Sequence, residues 1–162
     1  MNQQLLHERF EYKDGNLIWK IKSSPKTKIG DVAGNLSVRG YVVVQINGKT
    51  YKAHRLVWIY HNGDIPAGIE IDHINEVKND NRIDNLRLAT SSQNKCNVSK
   101  PKRNTSGFKG VTYSKAGKRK WVAQISINNK NIYLGCRDTK EAAYELYKAA
   151  TIKYHGEFAR CE

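Results

Sequence analysis

Ile69-Glu70-Ile71-Asp72-His73-Ile74 and Leu86-Arg87-Leu88-Ala89, separated by the polar run Asn75 to Asp84, decide the reading of this chain. The first stretch alternates apolar and polar residues as a short strand does, and the second reads as another short strand. Thr90-Ser91-Ser92 then offers a cap for a short helix running to about Val98. The predicted order over residues 69–98 is therefore strand, polar loop, strand, helix.

Upstream, residues 10–53 read as paired short strands. Phe10 to Lys13 and Leu17 to Ile21 flank Asp14-Gly15, and Tyr41 to Ile46 and Thr50 to Ala53 flank Asn47-Gly48. Both dipeptides favour tight hairpin turns. Residues 23–40, rich in Ser, Pro, Lys and Gly, are expected to be loop. His54 to His61 reads as a helix closed by Asn62-Gly63. Downstream, residues 99–107 contain nothing to bury and several structure breakers, and form the expected linker. Beyond it, Gly110 to Tyr113, Lys120 to Ile127 and Asn131 to Gly135 read as strands, with turns at Ala116-Gly117 and Asn128-Asn129. Thr139 to His155 reads as one amphipathic helix, with Ala142, Ala143, Leu146, Ala149, Ala150 and Ile152 at helical spacing. The expected organisation is α+β: a first domain over 1–98, the linker 99–107, and a three-stranded antiparallel sheet with one packed helix over 108–162.

The charge is one-sided. The chain has 28 Lys and Arg against 15 Asp and Glu, a net +13. Between Asp84 and Asp138 there are twelve bases and no acid, which leaves the remainder of the chain nearly neutral. Such a field attracts polyanions and supplies affinity for phosphate backbones. The three cysteines, Cys96, Cys136 and Cys161, are far apart and form no Cys-x-x-Cys pair, which argues against a zinc knuckle. No apolar run has the length of a membrane span or the form of a secretion signal, so an intracellular protein with no membrane partner is expected.

Asp72, His73, Asn85, Gln93 and Asn94 offer a carboxylate, an adjacent imidazole and amides on elements that could converge. Hydrolysis of a phosphodiester needs a water deprotonated near neutral pH, which suits an imidazole of pKa about 6.5. It also needs a hard cation, and oxygen donors from Asp and Asn suit Mg2+ or Mn2+ rather than zinc. An Asp-His pair alone is more often a surface hydrogen bond. Adjacent residues on an ideal strand also point to opposite faces, so the pair cooperates only where the strand ends or twists.

Ala53-His54-Arg55-Leu56-Val57-Trp58, Ile71-Asp72-His73-Ile74-Asn75, Asn79-x-Asn81-Arg82-x-x-Asn85-Leu86-Arg87 and Ala89-Thr90-x-x-Gln93-Asn94-x-x-Asn97 resemble the HNH endonucleases of phages and mobile introns. Trp19, Gly30-Asp31-x-Ala33-Gly34 and Gly40-Tyr41 extend the resemblance over roughly residues 8–98. It implies a ββα-metal (His-Me finger) domain in a homing endonuclease that cuts double-stranded DNA to 3′-hydroxyl and 5′-phosphate ends. His73 would be the general base, and Asp72 and Asn94 would hold one divalent metal, with Asn97 the alternative to Asn94. Asn85 would pin the loop between the strands and orient His73. The third motif position is asparagine, making this an HNN variant. Arg55 and Arg87 are expected on DNA, and a nicking monomer is the simplest stoichiometry.

Phe108-Lys109-Gly110-Val111, Trp121-x-Ala123-x-Ile125 and Tyr133-Leu134-Gly135-x-x-x-Thr139-x-x-Glu141-Ala142-Ala143 resemble the Apetala-two, or ethylene-response-factor, DNA-binding domain. Alternation independently turns Trp121, Ala123, Ile125 and Ile127 toward the helix and Val122, Gln124 and Ser126 outward. The DNA face would carry Lys109, Thr112, Gln124, Ser126, Asn131 and Tyr133, with Lys118, Arg119 and Lys120 on phosphates. Thr112, Ser126 and Asn131 stand where the plant domains read guanine with arginines, so their target does not transfer. The rival to an endonuclease is a DNA-binding regulator on a nuclease scaffold. An RNA-directed protein is a third reading, disfavoured by the lack of exposed aromatic pairs for stacking bases.

Overall fold

Asn2 opens the chain's first helix, a feature the sequence reading leaves out. Its Oδ1 accepts a hydrogen bond from the Leu5 amide at 3.0 Å, and helix α1 (Gln3–Arg9) buries Leu6. The computed structural model describes residues 1–25, 27–97, 103–115, 120–127 and 130–159. Lys118, Arg119, Val98, Cys161 and the expected turns at Ala116-Gly117 and Asn128-Asn129 lie outside them, as does part of the expected linker.

The chain forms two compact units, Met1–Thr90 and Ser91–Glu162, within an α+β fold. In the first unit, β1 (Phe10–Lys13) and β2 (Asn16–Trp19) pair antiparallel across Asp14 and Gly15, whose φ values of 47° and 85° are those of a two-residue hairpin turn. Gly15 is required twice over. A Cβ there would lie 2.8 Å from the Arg82 amide nitrogen and 3.1 Å from the Asn81 carbonyl carbon. The hairpin tip therefore rests directly against the backbone of the 75–85 loop. The other edge of β2 is occupied by residues 30–33, through Gly30 N to Trp19 O at 2.8 Å and Ala33 N to Leu17 O at 2.7 Å.

The second hairpin is β4 (Val42–Ile46) with β5 (Lys49–Lys52), turning through Asn47 and Gly48, again at positive φ. The segment expected to be wholly loop contributes a short third strand, β3 (Asn35–Leu36), paired with β4. Helix α2 (Ala53–Asn62) follows and stops at Gly63, with φ 79°. Strands β6 (Ile69–His73) and β7 (Leu86–Thr90) pair antiparallel, Asp72 opposite Arg87 and His73 opposite Leu86.

One core holds this unit together. Leu6, Phe10, Leu17, Trp19, Val44, Ile46, Leu56, Val57, Ile71 and Leu86 are all buried in it. Because Ile71 and Leu86 share that core with the N-terminal hairpins and α2, the strand ends that carry Asp72 and His73 are fixed to the best-packed part of the unit.

The second unit begins with α3 (Ser91–Cys96) and continues with β8 (Val111–Tyr113), β9 (Trp121–Ile127), β10 (Lys130–Arg137) and α4 (Lys140–His155). β9 is the central strand, antiparallel to both neighbours. Ala123 and Ile125 are buried against α4, as alternation requires, and Trp121 and Ile127 pack beside them. Thr139 caps α4 by accepting from the Ala142 amide at 3.2 Å. The buried stripe of α4 differs from the expected one. It is Ala143, Tyr147, Ala150 and Thr151, whereas Ile152 is 68% exposed and Ala142 and Ala149 face outward. Tyr147 and Thr151 win the inner positions because the ring fills the space that Gly110 leaves open, and the Thr151 hydroxyl is satisfied by Tyr147 O at 2.8 Å. No helix among the described residues is long and apolar enough to cross a membrane.

Candidate active site

β6 ends at His73, and Ile71, Asp72 and His73 are buried in succession, so both faces of the strand end are covered. The chain turns at once, with the Glu76 amide donating to His73 O at 3.0 Å and Glu76 at φ 61°. This termination allows neighbouring Asp72 and His73 to serve one site despite the alternation of an ideal strand.

The His73 Nε2 lies 3.2 Å from Asn81 Oδ1, both residues being about 5% exposed or less. With Oδ1 as acceptor, Nε2 carries the proton and the lone pair of the neutral ring falls on Nδ1. Burial pushes the His73 pKa below its ordinary value. The Asn81 hydrogen bond and the carboxylates of Asp72 and Asp80 pull the other way, and Lys52 lowers it further. Asn81 belongs to the motif, yet the sequence alone assigns it no role. Its eight-residue separation from His73 bridges a loop of irregular conformation, which no periodicity can resolve.

Asn85 ties that loop shut. Its Oδ1 accepts from the Asn75 amide at 3.0 Å, and its Nδ2 donates to Asn75 Oδ1 at 2.9 Å and to Asp80 O at 2.8 Å. Asn75 Nδ2 and the Arg82 guanidinium both bind Asp80, whose carboxyl is held well below the usual range chiefly by Arg82. Tyr12 of the first hairpin adds an anchor by accepting from the Ile83 amide at 3.0 Å. Asn85 thus fixes the loop that presents Asn81 to His73.

Asp72 Oδ2 accepts from Arg87 Nε at 3.0 Å and Nη2 at 2.9 Å across the β6–β7 pair. The guanidinium expected on DNA is thus engaged with the expected metal ligand and is largely buried. His54, in the first turn of α2, stands edge-on to His73 with ring centroids 4.8 Å apart. Burial, with the nearby His73, Lys52 and Arg55, lowers the His54 pKa to about 3. Its Nδ1 is buried with no hydrogen-bond partner among the described residues. The sequence reading gives His54 no place beside His73.

Residues 51–96, which span α2, β6, β7 and α3, match the family model described as HNH endonuclease. Protein 3.8 of Escherichia phage T7 is 38% identical over 112 residues, 69% of this chain and 91% of that protein. A protein of Acanthamoeba polyphaga mimivirus described as an uncharacterized HNH endonuclease is 32% identical over 142 residues, 87% of this chain and 68% of its own length. The chain belongs to the HNH endonuclease family. A solved structure titled "DNA binding and cleavage by the HNH homing endonuclease I-HmuI" aligns over 96% of this HNH endonuclease and 90% of its own chain, at 20% identity and a TM-score of 0.46.

The remaining expected site residues of this HNH endonuclease fall as follows. Asn94 is half-buried on α3, and Asn97 is buried just past its end. Arg55 is half-buried on α2. Gln124, Ser126, Asn131 and Tyr133 lie on one face of the second unit's sheet, since Ser126 pairs with Asn131 and Gln124 with Tyr133 in register, and Ser126 Oγ donates to Asn131 Oδ1. Thr112 and Lys120 are exposed, and Tyr133 is 64% exposed. Lys109 instead donates to Cys96 O at 2.7 Å, closing the end of α3.

Proposed function

We propose that the chain is a metal-dependent DNA endonuclease of the homing type, in which His73 is the general base. The observation that carries this reading is a buried histidine kept neutral near physiological pH, its Nε2–H committed to Asn81, at a strand end shared with Asp72. A neutral imidazole oriented by a hydrogen bond on its far nitrogen can take a proton from a water at Nδ1.

The donor chemistry fits a hard divalent cation such as Mg2+ or Mn2+. Asp72 and Asn94, with Asn97 the alternative, would supply oxygens, the donor type a small hard cation prefers. When bound, the cation supplies charge neutralisation at the phosphate and at the departing oxygen. Arg87 holds the Asp72 carboxylate in place through Oδ2. Asn81 fixes the tautomer of the base, and Asn85 holds the loop that carries Asn81. Cleavage then leaves 3′-hydroxyl and 5′-phosphate ends, one strand per engagement by a monomer.

Residues 108–162 are read as an Apetala-two-like module that grips double-stranded DNA, supported by the exposed polar face of Thr112, Ser126, Asn131 and Tyr133 and by the acid-free basic stretch 85–137 that runs into it. Supercoiled plasmid incubated with Mg2+ or with EDTA tests the whole reading. Wild-type protein is expected to nick only with Mg2+, and His73→Ala to bind without nicking. Cleavage in EDTA, or undiminished by His73→Ala, would refute it. Duplex binding by the wild type without any cleavage would leave a DNA-binding regulator.

A further inference from the structure

The Tyr41 ring gathers two lysines beside the base. Lys52 Nζ lies 4.6 Å from its centroid and Lys78 Nζ 5.2 Å. The same ring is 6.1 Å from the His73 ring and 5.3 Å from that of His54. The two ammoniums therefore stand within about 10 Å of each other, no more than a Debye length at ordinary salt, and repel. Cation–π attraction offsets part of that repulsion. Neither lysine forms an ion pair with a carboxylate among the described residues. Lys78 donates to the Arg39 carbonyl at 3.3 Å, and both side chains are exposed.

Helix energetics do not account for Lys52 either. It occupies the cap position of α2, Arg55 follows in the first turn, and that turn holds no acid. Cations at this end of a helix oppose its dipole. Two ammoniums that repel each other, with no carboxylate partner among the described residues, and drawn toward one ring beside a buried histidine, are accounted for by an anionic group of the substrate that binds there.

We infer that the Lys52 and Lys78 ammoniums, held over the Tyr41 ring next to His73, dock a backbone phosphate of the duplex at or beside the position of cleavage. This rests on the DNA-endonuclease reading and adds residues to it: the lysines fix the substrate, and Tyr41 positions them.

The test measures duplex DNA binding in EDTA across a salt series for wild type, Lys52→Met, Lys78→Met, the double variant and the Lys52→Arg/Lys78→Arg pair. Losing one phosphate contact lowers the slope of log K against log salt by roughly 0.9, so the double variant, which gives up the one phosphate that both lysines hold, should fall by roughly 0.9, with the Arg pair retaining the wild-type slope. With Mg2+, the double variant should raise KM at least about tenfold and leave kcat within about twofold, the mark of binding lost equally from ground and transition states. Melting temperatures of the Met variants are expected to match or slightly exceed that of the wild type, since both side chains are exposed and their repulsion is removed.

A wild-type slope in the double variant, or an Arg pair that behaves like the Met pair, would overturn the inference. So would a Lys52- and Lys78-dependent effect seen with inorganic phosphate as the probe but not with DNA. A wild-type protein that binds no duplex would remove the parent reading as well. Binding without cleavage removes only the enzymatic part and leaves the slope as the deciding measurement.

Discussion

Replacing Asn85 by alanine should open the loop between β6 and β7 and disable His73, the proposed base, without touching it. The side chain makes three hydrogen bonds, to the Asn75 amide, Asn75 Oδ1 and Asp80 O, at 2.8 to 3.0 Å, from a residue only 8% exposed. At about 1 kcal/mol net for each, their loss should destabilise the first unit by about 3 kcal/mol. With a urea slope near 2 kcal/mol per molar, the unfolding midpoint should fall by about 1.5 M. Trp19 and Trp58 report on this unit, while Trp121 lies in the other. Amide exchange at Asn75 gives a local readout, since its N–H loses its acceptor. Because the loop carries Asn81, nicking should also slow by about 10- to 100-fold, the usual effect of removing a group that orients a catalytic side chain. Asn81→Ala separates the two effects, with a similar loss of rate but only about 1 kcal/mol of stability. An Asn85→Ala protein with a midpoint within about 0.25 M of wild type would refute the hydrogen-bond accounting. A destabilised variant that nicks at the wild-type rate would refute the link from loop to base.

Two further outcomes follow from the packing. His54 is neutral in the folded chain down to a pKa of about 3, against an ordinary value of 6.5. The unfolded chain binds the proton first, so stability is full above pH 6.5 and is lost as pH falls toward 3, on the order of 4 kcal/mol over that window. Urea midpoints between pH 7 and pH 4 should fall less steeply in His54→Gln, and parallel slopes would refute the assignment. Gly110→Ala should destabilise the second unit by about 2–4 kcal/mol, read by Trp121 fluorescence, because φ there is +72° and a Cβ would overlap the buried Tyr147 ring. A neutral effect would mean that α4 can shift away from β8.

Local physics made much of the chain legible from its residues. Asp14-Gly15 and Asn47-Gly48 demand positive φ at both positions, which few other pairs tolerate, so the hairpins were written in the dipeptides. The alternation of β9 turned Ala123 and Ile125 to α4, and Thr139 announced where that helix begins. The clustered motif around Asp72 and His73 pointed to the HNH endonuclease family, to which the chain belongs. Helix α1 was missed because Asn2 is a one-residue signal without a long apolar repeat behind it. The stripe of α4 is legible at Ala143 and Ala150 and not at Ala142 and Ala149, because alanines fit either face of a helix and the choice fell to the Tyr147 ring meeting Gly110 in the turn before β8.

Tertiary structure alone decided which groups surround His73. Asn81 reaches His73 across an irregular loop, Arg87 reaches Asp72 across a strand pair, and His54 and Tyr41 arrive from elements nineteen and thirty-two residues away in the chain. Periodicity reports which face a residue occupies and nothing about what meets it there. A side chain's partners, and with them its charge state, are set by burial and by neighbours that only the packed core brings within reach.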